Sequence, residues 1–340
     1  MKFTAIKAAA VIGLGLSAGL GVGAAVAQDY PTRDLQGVIQ WGAGGSTDVI
    51  MRSVTPHAEA ELGAKVVMQN VTGGVGAIAL NQVANAPADG YTLLMGAENP
   101  LIYKVMGLGQ KDYGDFVPVS ILARGSSVLV ARADAPFDDY AGMLAHIKAN
   151  PGKVKFGSTG PGGLASVVTA MVNEVEGKQD IIAVPFDGDG PALTALQGGA
   201  IDVMPAVLGA AVEHIRGGKL KPLALIDSEP NPLLPEAKPV TEFNAGYAKF
   251  LPWGPFFGVF VAKGSPDEAV TKLQAAYATA VKNPDFLKLM ADRGYTPMGI
   301  SGAEAETFLN GWQSTTAWLL QDAGLAKNSP ESLGIARPAE

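Results

Sequence analysis

Residues 39–52 read IQWGAGGSTDVIMR, and the fold is read outward from the turn inside them, WGAGGSTD at 41–48. An apolar run over 36–41 has the length and composition of a buried strand, and a helical pattern runs from Asp48 to about Leu62. Asp48 stands where an N-cap belongs. A strand that passes through glycines straight into a helix leaves main-chain N–H groups at the carboxyl edge of a parallel sheet, beside a helix N-terminus. Such a place binds anions. The arrangement recurs: FGSTGPGG at 156–163 follows an apolar run at 153–157 and opens a helix over 164–176. A third glycine run, TGGVGA, occupies 72–77.

Around these turns short apolar runs alternate with amphipathic stretches, the pattern of βαβ units in two α/β lobes. Strands are expected at 65–69, 91–96 and 117–122, with a helix at 76–84, in the first lobe. An apolar run at 127–132 leads to a helix at 137–150 that opens the second lobe, whose further strands are 181–186, 201–204 and 220–226. Residues 230–240, PNPLLPEAKPV, carry four prolines and read as a surface loop. An extended segment at 253–263 returns to the first lobe, and helical patterns follow at 268–282, 284–292 and 303–323. The chain therefore crosses twice, near 125–132 and 251–260, which permits a two-strand hinge. The expected lobes are 28–128 with 254–340, and 129–253.

The first 27 residues have a basic start at Lys2 and Lys7, an apolar run over 8–22 and a small-residue end at Ala25, Val26 and Ala27. That is the make-up of a secretory signal peptide cleaved after Ala27. Its removal takes the net charge from −7 to −9, which speaks against nucleic acid and anionic membrane surfaces as partners. Cysteine is absent, so there is no disulfide, thiol nucleophile or lipid-modified cysteine. The reading is a periplasmic protein without a lipid anchor, and a monomer. With 48% hydrophobic and 17% charged residues the remainder has ample core for two domains, and no later apolar run reaches the ~20 residues of a membrane span.

The ligand-binding candidates are Trp41, Ala43, Gly44, Gly45, Ser46, Thr47 and Asp48 in the first turn, and Ser158, Thr159, Gly160 and Gly163 in the second. Gly74 in the third run, Glu98 and Asn99 after the third strand, Phe186, Asp187, Met204 and Trp253 complete the set. Glycine lets a ligand approach the backbone, serine and threonine add hydroxyl donors, and Trp41 and Trp253 are candidates for an apolar wall. Charge-assisted hydrogen bonds contribute roughly 1.5–3 kcal/mol each. A micromolar ligand needs about 8 kcal/mol, so four or five donors shared by two lobes suffice. A bulky residue at Gly44 is expected to abolish binding.

Catalytic constellations are missing from the pattern. Asp48 stands where a nucleophile elbow requires glycine, and His57, His146 and His214 lie in separate helical stretches without metal-ligand spacing. No catalytic residue, cofactor or metal is expected. GPGGLA at 160–165 formally fits the dinucleotide fingerprint, with Asp187 after the next strand, and supports a rival reading as a dehydrogenase-like enzyme.

At these turns the sequence resembles the solute-binding proteins of tripartite tricarboxylate transporters, the Bug family, across almost the whole mature chain. IQWGAGGSTDVIMR (39–52), MQNVTGGVGAIAL (68–80), PADGYTLLMG (87–96), VPFDGDGPALTALQGGAIDV (184–203) and GYTPMGISGAEAETFLNGW (294–312) are similar to family motifs and stand in the family's order. The resemblance implies a type II periplasmic binding fold that grips a carboxylate between two glycine-rich loops and hands it to a two-component membrane permease, without catalysis. A sensor subunit that presents its ligand to a receptor is the other use of such a fold. The departures bear on the ligand: the first loop lacks the family's prolines, Glu98 and Asn99 replace small hydroxyl residues, and Asp187 and Asp189 flank Gly188. An inward-facing Glu98 or Asp187 would penalise a di- or tricarboxylate and favour a ligand that also carries an amine, since two unit charges about 4 Å apart interact by roughly 1–4 kcal/mol.

Overall fold

The computed structural model describes residue 1 and residues 30–338; apart from residue 1, the signal peptide read over 1–27 lies outside the described residues. The first unit begins β1 (Leu35–Ile39), α1 (Ser46–Leu62), β2 (Val66–Asn70), α2 (Ala77–Ala84), β3 (Thr92–Ala97), α3 (Tyr103–Met106) and β4 (Phe116–Gly125). The second holds β5 (Ser127–Arg132), α4 (Tyr140–Ala149), β6 (Lys155–Ser158), α5 (Leu164–Glu176), β7 (Ile182–Pro185), α6 (Asp189–Gln197), β8 (Val203–Val207), α7 (Leu208–Arg216), β9 (Leu220–Ile226) and α8 (Val240–Phe243). The chain then returns as β10 (Phe256–Ala262), α9 (Asp267–Ala280), α10 (Pro284–Arg293), β11 (Tyr295–Ile300) and α11 (Gly302–Asp322).

Two sheets result, ordered β11-β4-β10-β3-β1-β2 and β7-β6-β8-β5-β9. They share a plan: β1 pairs in parallel with β2 and β3, as β6 does with β7 and β8, and one antiparallel strand follows beside the third. That antiparallel strand, β10 or β5, is in each sheet the one entered directly after a crossing between units. All seven residues of β10 (FFGVFVA) are buried, as a central strand covered on both faces requires.

The chain follows its local signals closely. Helix α5 buries Leu164, Val167, Val168, Met171 and Val172, an i, i+3, i+4, i+7, i+8 stripe. Helix α1 stops where Gly63 adopts φ 68° and its N–H bonds back to the Glu59 carbonyl. It starts two residues before Asp48: Gly45 is the cap, and Asp48 sits within the first turn.

Helices α3, α6 and α8 and strand β11 have no counterpart in the sequence reading, and α7 has only the helical stretch around His214, without bounds. Helices α3 and α8 are single turns, too short to show a period. Helix α7 follows β8 with no loop between them, so the apolar run VMPAVLGAA carries no punctuation from which a boundary could be read.

Candidate functional site

The carboxyl ends of β1 and β3 in one sheet face those of β6, β7 and β8 in the other, at the places where strand order reverses in both. Between them lies a cavity of about 30 Å³. The first unit lines it with Trp41, Gly45, Ser46, Thr47, Ala97, Glu98, Asn99, Pro255 and Phe257; the second with Thr159, Leu164, Gly188, Asp189 and Val207. That volume holds one or two water molecules, so the units are closed upon one another.

Hydrogen bonds between the units hold this closure. Gly42 N–H donates to the Asp187 carbonyl at 2.8 Å, and Asn99 Nδ2 to the Gly162 carbonyl at 3.3 Å. Thr72 Oγ1 donates to Asp187 Oδ2 at 3.2 Å. Tyr295, whose hydroxyl donates to Ser46 Oγ at 2.7 Å, lies against Gly209 of α7, where any Cβ would overlap the ring.

Three helix N-termini reach the cavity, all capped by glycine: those of α1 and α5, and that of α6, where Gly188 is the cap and Asp189 the first residue. Gly45 (φ −78°, ψ 171°) caps α1 and Gly163 (φ −70°, ψ 165°) caps α5, neither with a side-chain bond. The first intrahelical bonds run from Val49 N–H to Gly45 O and from Val167 N–H to Gly163 O. A serine or aspartate cap would occupy one first-turn N–H; glycine leaves those donors, Ser46 and Thr47 in α1 and Leu164 in α5, to an anion.

Asp48 braces the first turn from behind. Its carboxylate accepts from Gly44 N–H at 3.1 Å, Arg52 Nε at 2.7 Å and Asn70 Nδ2 at 2.9 Å, and Asn70 Nδ2 also donates to the Trp41 carbonyl at 2.8 Å. Burial pushes the Asp48 carboxyl upward, but the bonds from Asn70, Gly44 and Arg52 outweigh it and hold the group below the usual aspartate value. Replacing Asp48 by alanine strands Gly44 N–H and Asn70 and is expected to cost about 1–3 kcal/mol of stability, measurable as a lower urea midpoint.

The buried acids behave in the opposite way. Glu98 is 4% exposed and Asp189 8% exposed. Burial pushes Glu98 up to about 8 against the pull of its own backbone N–H, with the Asp189 charge adding to the rise. Burial likewise pushes Asp189 up to about 6, against the bond its Oδ2 accepts from Val207 N–H at 3.0 Å.

The other candidates from the sequence are placed as follows. Trp41, Gly45, Ser46, Thr47, Glu98, Asn99 and Thr159 line the cavity together. Ala43 and Gly44 are exposed on its rim, and Gly74 is exposed beside Val75, which packs against Gly160 of the other unit. Gly163 is the α5 cap, and the Ser158 hydroxyl is engaged within its turn, accepting from Gly160 N–H at 3.1 Å. Three candidates stand away from the cavity: Met204 is in the second unit's core against Gly157, Phe186 packs on the edge of that core, and Asp187 is exposed.

Trp253 is not an apolar wall of the cavity. Its Nε1 donates to Thr316 Oγ1 at 3.0 Å and its ring packs on Trp312, inside the first unit. Phe257 and Leu164 supply the apolar surface that, with Trp41, lines the cavity. Asp189 rather than Asp187 is the inward acid, and the sequence carries a signal for it. Pro191 belongs in the first turn of a helix, which puts Asp189 in the same turn and Asp187 outside it.

The family description "Tripartite tricarboxylate transporter family receptor" matches residues 50–325. The chain is 33% identical to Protein BugT of Bordetella pertussis over 298 residues, 85% of this chain and 89% of BugT. It superposes on the periplasmic binding protein BugD with a TM-score of 0.81 at 26% identity, covering 88% of this chain and 100% of BugD. On MatC from Rhodopseudomonas palustris with bound malate the TM-score is 0.73 at 27% identity, covering 86% of this chain and 97% of MatC. The fold is thus the two-lobed type II periplasmic-binding-protein fold, two α/β lobes joined by two crossing segments. Family-wide coverage and the shared lobe plan lead to one assignment: this chain belongs to the tripartite tricarboxylate transporter receptor family, the Bug proteins.

Proposed function

We propose that this protein is a periplasmic solute-binding receptor that closes its lobes on a small organic carboxylate and passes it to a two-component membrane permease. One observation carries the reading: the glycine-capped N-termini of α1 and α5, one from each lobe, converge on one cavity between the lobes. Free first-turn N–H groups bind a carboxylate through aligned donors and helix dipoles, without a reactive side chain. The bound malate in MatC supports a small acid as the cargo here. Hinge motion runs through the two crossings, between β4 and β5 and ahead of β10; β5 pairs within the second sheet and Trp253 packs in the first unit, so lobe two is taken as 127–252 and the remaining described residues as lobe one, one or two residues off the bounds read from sequence.

Glycine-rich loop 160–165 supports transport rather than dinucleotide chemistry. Gly160 is covered by Val75, and Gly162 by Ile102 and Met106, all from the opposite lobe, where a pyrophosphate would have to lie. No helix among the described residues is long and apolar enough to cross a membrane.

The reading is tested by native mass spectrometry of the purified protein and by calorimetry with a panel of C3–C6 acids. One-to-one saturable binding in the micromolar range or tighter, with no conversion of the bound acid, is the expected result. Turnover of the acid, or cofactor-dependent chemistry, would place the chain among enzymes instead.

A further inference from the structure

Beside the first-turn N–H groups of α1 and α5, the cavity is lined by a group of side-chain acceptors. Glu98 and Asp189 line it from opposite lobes, both more than nine-tenths buried. Among the described residues no lysine or arginine forms an ion pair with either or contributes to the electrostatics of either. Asn99, 1% exposed, lines the same cavity; its Nδ2 is engaged with Gly162 O, and its Oδ1 has no hydrogen-bond partner. A buried acceptor without a partner is costly, and ionising two buried acids in one cavity without a counter-ion is costlier.

We infer that Glu98, Asn99 and Asp189 form a cation subsite that takes the protonated amine of the ligand, whose carboxylate lies at the N-termini of α1 and α5. This rests on the carboxylate reading and narrows it to amino acids and other amino-carboxylates. An ammonium group carries three N–H donors and no acceptor, which matches three inward acceptors and explains why none is fully satisfied from within the protein. Asp189 is fixed by one backbone N–H, that of Val207, which orients it and leaves further lone pairs free. A metal ion is poorly served: among the described residues no three His, Cys, Asp or Glu side chains gather to hold one. A second carboxylate beside these acceptors would face two acids across low-dielectric space, so dicarboxylates without an amine are disfavoured.

The test is calorimetry at pH 8 with matched sets: 4-aminobutyrate, butyrate and n-butylamine; L-aspartate and succinate; L-glutamate and glutarate. At least one amino acid is expected to bind tenfold or more tightly than its partner lacking the amine. Glu98→Gln is expected to remove that preference, weakening the amino acid at least tenfold more than its partner lacking the amine, and Asp189→Asn to do the same should Glu98→Gln fail to fold, as judged by thermal melting. Simple acids that match or exceed their amino partners in every set overturn the subsite while the carboxylate reading stands. Binding of n-butylamine alone upholds the subsite and overturns the carboxylate reading. Failure of every probe to bind overturns both.

Discussion

Gly190→Ala is expected to raise the dissociation constant of the bound acid at least 100-fold in calorimetry, while the ligand-free protein melts within a few degrees of wild type. Gly190 lies in the first turn of α6, and its φ is not among the left-handed ones, so alanine fits the helix. The obstacle is across the cleft. A Cβ there would overlap the Ala43 carbonyl oxygen and stand 2.9 Å from Gly45 N and 3.1 Å from Gly44 C. All three are main-chain atoms of the opposite lobe, and none can rotate away. Closure is then relieved only by holding the lobes apart, which separates Gly45 and Ser46 from Thr159 and Leu164. A closed state made about 3 kcal/mol less accessible weakens apparent binding by about 100-fold. Gly44→Ala is the control; the expectation drawn from sequence concerns a bulky residue at that position. A Cβ on Gly44 meets nothing within 4 Å, so the substitution carries only the strain of φ 78°, about 1–2 kcal/mol. Wild-type affinity in Gly190→Ala would mean that the ligand is held without this closure.

The contrast between these glycines marks what sequence can and cannot specify. That 41–48 and 156–163 are strand-to-helix turns follows from apolar runs, glycines and amphipathic stretches in order, because those signals act within a few residues. Which glycine is sterically required depends on what the other lobe brings against it, here Gly190 against Ala43, and nothing near Gly44 in the chain records that. Glu98 is legible as an acid at the end of a strand, and the cavity holds it. Asp187 draws the eye where Asp189 belongs because α6 carries no strong apolar stripe to announce its start, leaving Pro191 as the local sign. Trp253 suggests a site wall by its aromatic character alone. Its indole N–H has a partner in Thr316, sixty-three residues away in sequence and on the other side of β10 in chain order. Phe257 and Val207 are invisible as site residues because they stand near the ends of buried strands and are chemically the same as their core neighbours.

Raising the pH from 6.5 to 9 is expected to lower the melting temperature of the ligand-free protein by several degrees, and Glu98→Gln to flatten that slope. Glu98 titrates at about 8 in the folded protein and at its ordinary 4.5 when unfolded, so between those values the native state holds a proton that the unfolded chain does not. The Glu98 contribution to stability is therefore greatest below about pH 4.5 and falls as pH rises to about 8, then levels off. Asp189, raised to about 6, acts in the same direction over a lower window. Each tenfold change in proton affinity is worth about 1.4 kcal/mol, which bounds the Glu98 contribution at about 5 kcal/mol. Opening of the cleft readmits water and limits what is observed to a part of it. The groups that face Glu98 are Asp189, Tyr103 and Tyr113; burial keeps both phenols protonated well above this range. His214, held below its usual value by burial and by Lys219 and Arg293, contributes the opposite slope, but below about pH 6.5, outside the window. An amino-acid ligand should invert the effect. Its ammonium stabilises ionised Glu98, so binding near pH 7 releases a proton, seen as a dependence of the calorimetric heat on the ionisation enthalpy of the buffer. A simple dicarboxylate, which favours the protonated acid, would release none.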